Sequence, residues 1–339
     1  MDLHILGIET SCDETAASVY STNSGVLSNI IFSQIELQKE FGGVVPEVAS
    51  RSHLEKIEAI VKKALTEAKL ELKDISAIAV TTKPGLPGSL LIGLCFAKAL
   101  AWSNNIKLIG VNHLEGHAFS SFLENNVPFP HLCLTASGGH TNLYLIEDFG
   151  KYEILGQTLD DAAGEAFDKI AKFIGLSYPG GPIIETLARQ VNFHDFFHYP
   201  RGQQSVLNFS FSGLKTAVLY DLVDRQAFDL KAKKFLKTND LELQQQVASS
   251  LLVCMKDIFI QKLNLALKKY PEIKSVSFVG GVACNKYLKS ELKNFCQSRN
   301  VEFFTPSAQY CTDNAAMIAF VGSYKAKQGL FDNLSLDIF

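Results

Sequence analysis

The sequence Leu3-His-Ile-Leu-Gly-Ile-Glu-Thr-Ser-Cys-Asp-Glu14 decides the fold that we predict for this chain. An apolar run of strand length, Leu3–Glu9, is followed at once by a tight polar turn, Ser11–Glu14. Two more runs with the character of strands come next, at Ala16–Tyr20 and Val26–Gln34. The chain is therefore predicted to begin with a three-strand meander whose first turn is polar.

A second three-strand meander is predicted in the middle of the chain. Its segments are His131–Ala136, Thr141–Ile146 and Tyr152–Gln157, and its first turn is Ser137-Gly-Gly-His140. After each meander the apolar residues alternate between helical and strand spacing, so the order β-β-β-α-β-α-β-α occurs twice. In the second half, Val279-Gly-Gly-Val-Ala-Cys-Asn285 joins a predicted strand to a predicted helix.

This duplicated order predicts an α/β protein with the two-lobed architecture of actin, the sugar kinases and the heat-shock ATPases. In that architecture the polar turn of each meander faces the phosphates of a nucleotide, and glycines let backbone amides approach them. We expect residues 1–125 with 307–339 to form the N-terminal lobe, and residues 126–306 to form the C-terminal lobe.

The composition is that of an ordinary soluble globular protein, with 47% hydrophobic and 20% charged residues among 339. The formal net charge of −3 does not by itself indicate a nucleic-acid-binding protein. Seven cysteines without a C-x-x-C pair favour a reducing, cytoplasmic location over disulfides or a zinc ribbon. The best membrane candidate, Leu90–Trp102, is too short to cross a bilayer and contains Lys98, so we expect no membrane association.

The segment His113-Leu-Glu-Gly-His117 is the strongest chemical signal in the sequence. Histidines four residues apart lie on one face of a helix and can reach the same metal ion. In a zinc-protease helix, H-E-x-x-H, a glutamate directly follows the first histidine and acts as the general base. Here Glu115 lies two residues from each histidine and points away from their shared face. The spacing alone leaves two interpretations open: a metal site, or two histidines that hydrogen-bond to backbone carbonyls.

A third metal ligand is suggested by Tyr310-Cys-Thr-Asp-Asn314, which lies between a predicted strand and a predicted helix. Asp313 can cap the helix that follows, which is the commonest role of an aspartate at such a position. It can equally direct its carboxylate into a cleft and complete the metal site.

A set of motifs between about residue 3 and residue 325 resembles the family of bacterial tRNA threonylcarbamoyladenosine transferases, once labelled O-sialoglycoprotein endopeptidases. The motifs are Gly7-Ile-Glu-Thr-Ser-Cys-Asp-Glu-Thr15, Gly42-Gly-Val-Val-Pro-Glu47, His113-x-x-x-His117, Ser137-Gly-Gly-His-Thr141, Asp160-Asp-Ala-Ala-Gly-Glu-Ala-Phe-Asp-Lys169, Tyr178-Pro-Gly-Gly-Pro182, Phe209-Ser-Phe-Ser-Gly-Leu-Lys215, Gly280-Gly-Val282 and Cys311-Thr-Asp-Asn314. Several of them are long and specific.

The resemblance implies the two-lobed fold and an acyl-transfer reaction. A threonylcarbamoyl group would pass from threonylcarbamoyl-adenylate to the exocyclic amine of adenine at position 37 of tRNA, with AMP as the leaving group. His113, His117 and Asp313 would hold one divalent metal ion, Fe(II) or Zn(II). The residues implied in binding the adenylate are Thr135, Ala136, Ser137, Gly138, Gly139, Asp168, Gly181, Glu185 and Asn285.

Asp13 and Glu14 are adjacent carboxylates in the first polar turn. They can orient the adenine amine or accept its proton during the transfer. An Asx turn or a helix cap is the alternative interpretation, and it explains Glu14 about equally well.

The resemblance also implies the partners: tRNA, a homologous but degenerate partner subunit, and a small ATPase of the same pathway. Three other functions are compatible with parts of the sequence. A metalloprotease would use the histidines, although Glu115 is misplaced as its base. A sugar kinase or ATPase would use the same fold with magnesium and ATP. A metal- and nucleotide-dependent scaffold for other proteins would use the same site without catalysis.

Overall fold

The N-terminal meander forms where the sequence predicts it. In this computed structural model, which describes residues 2–238 and 240–338, its strands are β1 (His4–Glu9), β2 (Glu14–Ser21) and β3 (Gly25–Ser33). The next elements are α1 (Ile35–Gln38), α2 (Pro46–Ala68), β4 (Ala77–Lys83), α3 (Pro87–Asn104), β5 (Lys107–Asn112) and α4 (His113–Phe119).

The second meander consists of β6 (His131–Ala136), β7 (Thr141–Asp148) and β8 (Lys151–Gln157). It is followed by α5 (Ala163–Phe173), α6 (Gly180–Gln190), α7 (Ser212–Asp224), β9 (Phe228–Asp229), β10 (Lys234–Phe235), α8 (Leu241–Lys269), β11 (Ser275–Val279), α9 (Lys286–Ser298) and β12 (Glu302–Phe304). The last helices are α10 (Ala308–Cys311) and α11 (Ala315–Lys327). Short 3-10 segments lie at Lys39–Phe41, Leu72–Asp74, Ser120–Leu123 and Gly281–Cys284.

Two sheets of five strands, counted over residues 2–238 and 240–338, share one topology. Their strand orders are β3-β2-β1-β4-β5 and β8-β7-β6-β11-β12. In each sheet the three meander strands pair antiparallel, and the two strands added later pair parallel. This shared order confirms the predicted α/β class and the duplication of the β-β-β-α-β-α-β pattern.

The chain divides into two compact units, each of which contains one five-stranded sheet. The first unit comprises the residues up to Asn126 together with those from Pro306 onward, and the second comprises Val127–Thr305. Among the residues that the structure describes, no helix combines the length and the apolar character that crossing a membrane requires.

A glycine in β1 brings helix α11 into direct contact with the first sheet. A Cβ atom at Gly7 would lie 2.3 Å from the carbonyl oxygen of Ala315 and 2.8 Å from Cβ of Ala319. Any side chain at this position would therefore push α11 away from the sheet. Asp313 lies directly before Asn314, the N-cap of α11, so this close packing determines where the carboxylate of Asp313 is held.

Helix α7 and the short β9–β10 hairpin are features that the sequence pattern did not predict. Leu214, Val218 and Leu222 are buried at four-residue spacing along α7, which is a helical signal. The signal is weakened because Gly213 occupies the first turn and the N-cap, Phe211, makes no side-chain capping hydrogen bond.

Candidate metal centre and ligand-binding loops

Helix α4 carries two histidines on one face, as their spacing predicts. The helix starts directly after β5, where the Asn112 side chain accepts hydrogen bonds from the amides of Leu114 (2.8 Å) and Glu115 (3.3 Å). The ring centroids of His113 and His117 lie 4.7 Å apart, and both side chains are buried. A short, firmly capped helix therefore presents two imidazoles side by side.

Asp313 brings its carboxylate to the same two imidazoles. Its Oδ1 atom lies 2.9 Å from Nε2 of His117 and 3.5 Å from Nε2 of His113. One ligand atom from each of the three residues lies within 4.8 Å of the other two. The helix cap is the neighbouring Asn314, whose Oδ1 accepts the amide of Met317 at 3.0 Å, so Asp313 is not needed for capping. Two imidazoles and one carboxylate at this separation can hold one metal ion.

Glu115 points in another direction. Its Oε2 atom lies 3.4 Å from Nζ of Lys325 on helix α11. The side chain therefore pairs with a lysine, in agreement with the prediction that it faces away from the two histidines.

A buried glutamate, Glu9, contacts His113 on the side of the ring opposite Asp313. The Oε2 atom of Glu9 lies 3.0 Å from Nδ1 of His113, and Oγ of Ser11 lies 3.1 Å from the same nitrogen. Burial alone would raise the pKa of Glu9, because it disfavours the charged carboxylate. The charge of His113 and the hydrogen bond with it outweigh this effect, and the pKa of Glu9 is lowered. Despite the same burial, Asp313 and Glu9 together raise the pKa of His113 to about 9.

The first polar turn places the carboxylates of Asp13 and Glu14 beside each other. Burial, the charges of Asp313 and Asp13, and a hydrogen bond to Asp13 raise the pKa of Glu14 well above its ordinary value. Burial and the charges of Asp13 and Asp313 also raise the pKa of the Cys12 thiol strongly. The thiol therefore stays protonated and is a poor nucleophile.

The same turn is attached to helix α2 by His53. Nδ1 of His53 lies 2.8 Å from Oγ1 of Thr15, and its Nε2 lies 2.9 Å from the carbonyl oxygen of Cys12. Burial lowers the pKa of His53, so the neutral ring donates through Nε2 and accepts through Nδ1. Sequence reasoning missed both His53 and Glu9. A polar side chain in an otherwise apolar buried face was the available signal in each case.

In the second unit, the turn from Ser137 to His140 forms a narrow loop between β6 and β7. The amide of Ser137 donates to the carbonyl of His140 at 2.8 Å, and the amide of His140 donates to Oγ of Ser137 at 3.2 Å. No heavy atom of the described residues beyond their immediate chain neighbours lies within 4 Å of a Cβ placed on Gly138 or Gly139. The loop therefore exposes backbone with space beside it. Thr135 and Ala136 are buried in β6, directly before the loop.

Two glycines allow neighbouring elements to reach this loop. A Cβ on Gly164, in the first turn of α5, would lie 2.7 Å from the carbonyl oxygen of Ser137. A Cβ on Gly280, after β11, would lie 2.4 Å from the carbonyl oxygen of Ala136, and Gly280 has a φ of +91°. Close packing at both positions requires glycine, so the start of α5 and the end of β11 meet the loop backbone directly.

Helices α5 and α6 extend this surface toward α9. Asp168 lies four residues after Gly164 on α5, and its Oδ1 accepts the amide of Gly180 at the start of α6 at 2.7 Å. Gly181 follows, with nothing within 4 Å of its Cβ position among the described residues. Residues four apart share a helix face, so Gly181 and Glu185 lie side by side on α6.

Glu185 and Asn285 meet at the N-terminus of α9. Oε1 of Glu185 accepts the amides of Lys286 (3.0 Å) and Tyr287 (3.2 Å). Oδ1 of Asn285 accepts the amide of Leu288 at 2.9 Å and caps the helix. The residues expected in ligand binding are thus connected, through α5 and α6, from the Ser137 loop to the start of α9.

Comparison with known proteins identifies close relatives. The family model described as tRNA N6-adenosine threonylcarbamoyltransferase matches residues 25–320. A protein of that name from Caldicellulosiruptor saccharolyticus is 47% identical over 96% of this chain and 94% of its own length. Another from Thermodesulfovibrio yellowstonii is 46% identical over 98% of this chain and 97% of its own length.

A solved structure shares the fold at low sequence identity. It is (R)-2-hydroxyglutaryl-CoA dehydratase component A of Acidaminococcus fermentans, with a TM-score of 0.56 and 14% identity. The match covers 96% of this chain and 99% of that protein. The similarity supports the two-lobed α/β fold and, at this identity, the fold alone.

Proposed function

Because this chain belongs to the tRNA N6-adenosine threonylcarbamoyltransferase family, a family of acyltransferases, we propose that it transfers a threonylcarbamoyl group to the exocyclic amine of adenine 37 in tRNA. The donor is threonylcarbamoyl-adenylate. The amine nitrogen bonds to the carbamoyl carbon, the bond from that carbon to the phosphate oxygen breaks, AMP leaves, and the amine loses one proton. The convergence of His113, His117 and Asp313 is the observation that carries the proposal.

One divalent metal ion, Fe(II) or Zn(II), is held by His113, His117 and Asp313. The residues fit such an ion because imidazole nitrogen and carboxylate oxygen suit both metals, and three protein ligands leave positions open for a substrate. The Nε2 atoms of both histidines face Oδ1 of Asp313, which is the arrangement a shared ion needs. An ion bound there would supply Lewis-acid chemistry for the transfer.

The phosphate of the adenylate binds at the loop after β6. Ser137, Gly138 and Gly139 offer backbone amides, and the space beside the two glycines leaves room for an anion. Thr135 and Ala136 have buried side chains, so they contribute by holding the loop backbone in place.

The nucleoside of the adenylate extends along α6 toward α9. Asp168 and Asn285 suit ribose hydroxyls and base edges, and Gly181 leaves room beside Asp168. Glu185 acts through its hydrogen bonds to the first amides of α9, which fix the position of Asn285.

Asp13 and Glu14 orient the adenine amine and accept the proton that it loses. A carboxylate with a raised pKa is a stronger base than an ordinary one once it is deprotonated. Burial and the neighbouring carboxylates raise the pKa of Glu14 in this way. Apart from the metal, the reaction then needs positioning and charge stabilisation, because the mixed anhydride is already activated.

The chain acts with tRNA, a homologous but degenerate partner subunit and a small ATPase. A net charge of −3 favours help from partners in binding a polyanion. Helices α2 and α3 carry exposed apolar side chains, Leu54 (66% exposed), Leu91 (43%) and Trp102 (76%), which suit a protein interface. The cytoplasm is the compartment where these partners and the substrate occur together.

The test is mass spectrometry of nucleosides from unmodified tRNA after incubation with threonylcarbamoyl-adenylate, this protein and its partners. We expect threonylcarbamoyladenosine to form with wild-type protein and to be absent with His113→Ala. A tRNA with guanine at position 37 is the matched substrate control and should stay unmodified. If wild-type protein binds metal and adenylate but forms no product, the proposal is wrong and a scaffold or kinase function becomes the better account.

A further inference from the structure

We propose that Glu9 is a positioning residue for the metal centre. It fixes His113 in the tautomer that presents Nε2 to the metal ion. It also holds the turn that carries Asp13 and Glu14 in place beside His113. The inference rests on the metal site proposed above and adds a residue outside the ligand set.

Both oxygens of Glu9 are occupied by donors from separate parts of the first unit. Oε2 lies 3.0 Å from Nδ1 of His113 and accepts a hydrogen bond from Oγ1 of Thr81 at 2.5 Å. Oε1 accepts the amide of Ser11 at 2.5 Å. Glu9 is fully buried at the end of a strand whose other buried residues are apolar. A carboxylate in such a place is unfavourable unless its oxygens are satisfied, and three donors satisfy them here.

The contact with His113 determines which ring nitrogen is available to a metal ion. A carboxylate accepts hydrogen bonds, so Nδ1 of His113 carries a proton and donates the hydrogen bond to Glu9. In the neutral ring that a metal ion binds, the Nε2 atom then keeps its lone pair, and it is the atom that faces Oδ1 of Asp313 at 3.5 Å. A hydrogen bond from the second ring nitrogen to a carboxylate is the usual way in which a metal-bound histidine is oriented.

The two histidines are held differently. Nδ1 of His113 contacts Glu9, whereas Nδ1 of buried His117 has no hydrogen-bond partner among residues 2–238 and 240–338. His117 is held through its other ring nitrogen, Nε2, which lies 2.9 Å from Oδ1 of Asp313. Removing the Glu9 carboxylate should therefore loosen one ligand and leave the other in place.

The same carboxylate also connects the metal ligand to the first polar turn. Ser11 donates its amide to Glu9, and its Oγ lies 3.1 Å from Nδ1 of His113. Asp13 and Glu14 follow within three residues along the chain. A change at Glu9 therefore disturbs the metal ligand and the two proposed proton-handling carboxylates together.

The test compares two substitutions that each remove part of the Glu9 network. Glu9→Gln replaces one acceptor oxygen by an NH₂ donor, which faces either the amide of Ser11 or the donors on His113 and Thr81. Thr81→Val removes one hydrogen bond to Glu9 and keeps its contact with His113, so it is the matched control. We measure the dissociation constant for Zn²⁺ by competition with a chelator, the absorption spectrum with Co²⁺ bound, and the melting temperature without metal.

We expect Glu9→Gln to weaken Zn²⁺ binding about 10- to 100-fold and to change the Co²⁺ spectrum. Thr81→Val should stay within about threefold of wild type, even if its metal-free melting temperature falls. If Glu9→Gln lowers only the melting temperature and binds Zn²⁺ like wild type, the inference is wrong while the proposed metal site stands. If wild-type protein itself does not bind Zn²⁺ or Fe²⁺, the proposed metal site is wrong as well.

A second measurement needs no substitution at Glu9. In ¹⁵N-histidine spectra of the Zn²⁺-loaded wild-type protein, we expect His113 to show a protonated Nδ1 and a metal-bound Nε2. The signals are assigned by their loss in His113→Gln. A metal-bound Nδ1 at His113 would overturn the inference even if Glu9→Gln failed to fold.

Discussion

Oδ1 of Asp313 lies 2.9 Å from Nε2 of His117, although 196 residues separate the two in sequence. The contact exists because α11 packs on β1 at Gly7, which leaves the residue before the α11 cap beside the histidine helix. A carboxylate that completes a set of two imidazoles is the minimum for a metal centre with open positions.

The first prediction concerns this carboxylate. Asp313→Asn replaces an anionic ligand by a neutral amide and should weaken Zn²⁺ or Fe²⁺ binding by at least about 100-fold, with a parallel loss of transfer. Metal content after dialysis and the rate of nucleoside modification measure the two effects. Glu115→Gln is the control, because Glu115 is close in sequence to both histidines but pairs with Lys325. Equal losses in the two variants would contradict the assignment of Asp313.

The second prediction concerns Glu14, whose pKa is raised by burial and by Asp313 and Asp13. An acid with a raised pKa in the folded state contributes stability below its ordinary pKa and loses it as pH rises. Glu14→Gln should therefore make the metal-free protein more stable than wild type at pH 7 and bring no such gain below about pH 4. Chemical denaturation at the two pH values measures this difference.

The same substitution should slow threonylcarbamoyl transfer, because it removes a proposed proton acceptor. In wild type, transfer should rise with pH as Glu14 loses its proton, and this rise should be absent in Glu14→Gln. A variant that is neither more stable at pH 7 nor altered in its pH profile would exclude both the raised pKa and the role of Glu14.

The third prediction uses two neighbouring glycines after β11. Gly280→Ala places a Cβ 2.4 Å from the carbonyl oxygen of Ala136 at a φ of +91°, so it should destabilise the protein by more than about 1 kcal/mol. Gly281→Ala meets nothing within 4 Å among the described residues and should stay within about 0.5 kcal/mol of wild type. Urea denaturation of both variants tests whether close packing at Gly280 holds the Ser137 loop.

The fourth prediction concerns acid stability. Burial lowers the pKa of His131, on β6, to about 4. Between that value and the ordinary 6.5 the unfolded state binds more protons, so stability falls as pH drops from 7 to 4. The expected contribution of His131 over this range is roughly 3 kcal/mol.

Comparison of wild type with His131→Gln isolates that contribution, because the glutamine does not titrate. Free energies of unfolding are measured at pH 7, 5 and 4. The free energy of unfolding of the variant should rise relative to that of wild type as pH falls. A constant difference would show that His131 keeps an ordinary pKa in the folded protein.

The sequence predicted the regular elements of both sheets well because their signal is local. The apolar run before Ser11 and the run at His131–Ala136 each form a strand, and the histidine spacing places both rings on one face of α4. The candidate metal site of His113, His117 and Asp313 could be anticipated because each of its members belongs to a short motif.

The remaining parts of the site depend on distant contacts. Glu9 meets His113 across 104 residues, and His53 reaches the carbonyl of Cys12 from a helix 41 residues away. Nothing near either residue in the sequence identifies its partner. That Asn314, and not Asp313, caps α11 became clear only from the structure.

The most direct test of metal-dependent transfer uses one wild-type preparation, stripped of metal and then reloaded. Formation of threonylcarbamoyladenosine at position 37 is measured by mass spectrometry, with threonylcarbamoyl-adenylate supplied and the partner proteins present. We expect little product from the stripped protein, and recovery with Fe²⁺ or Zn²⁺ in proportion to the metal bound at His113, His117 and Asp313. Full transfer by the stripped protein would contradict the account.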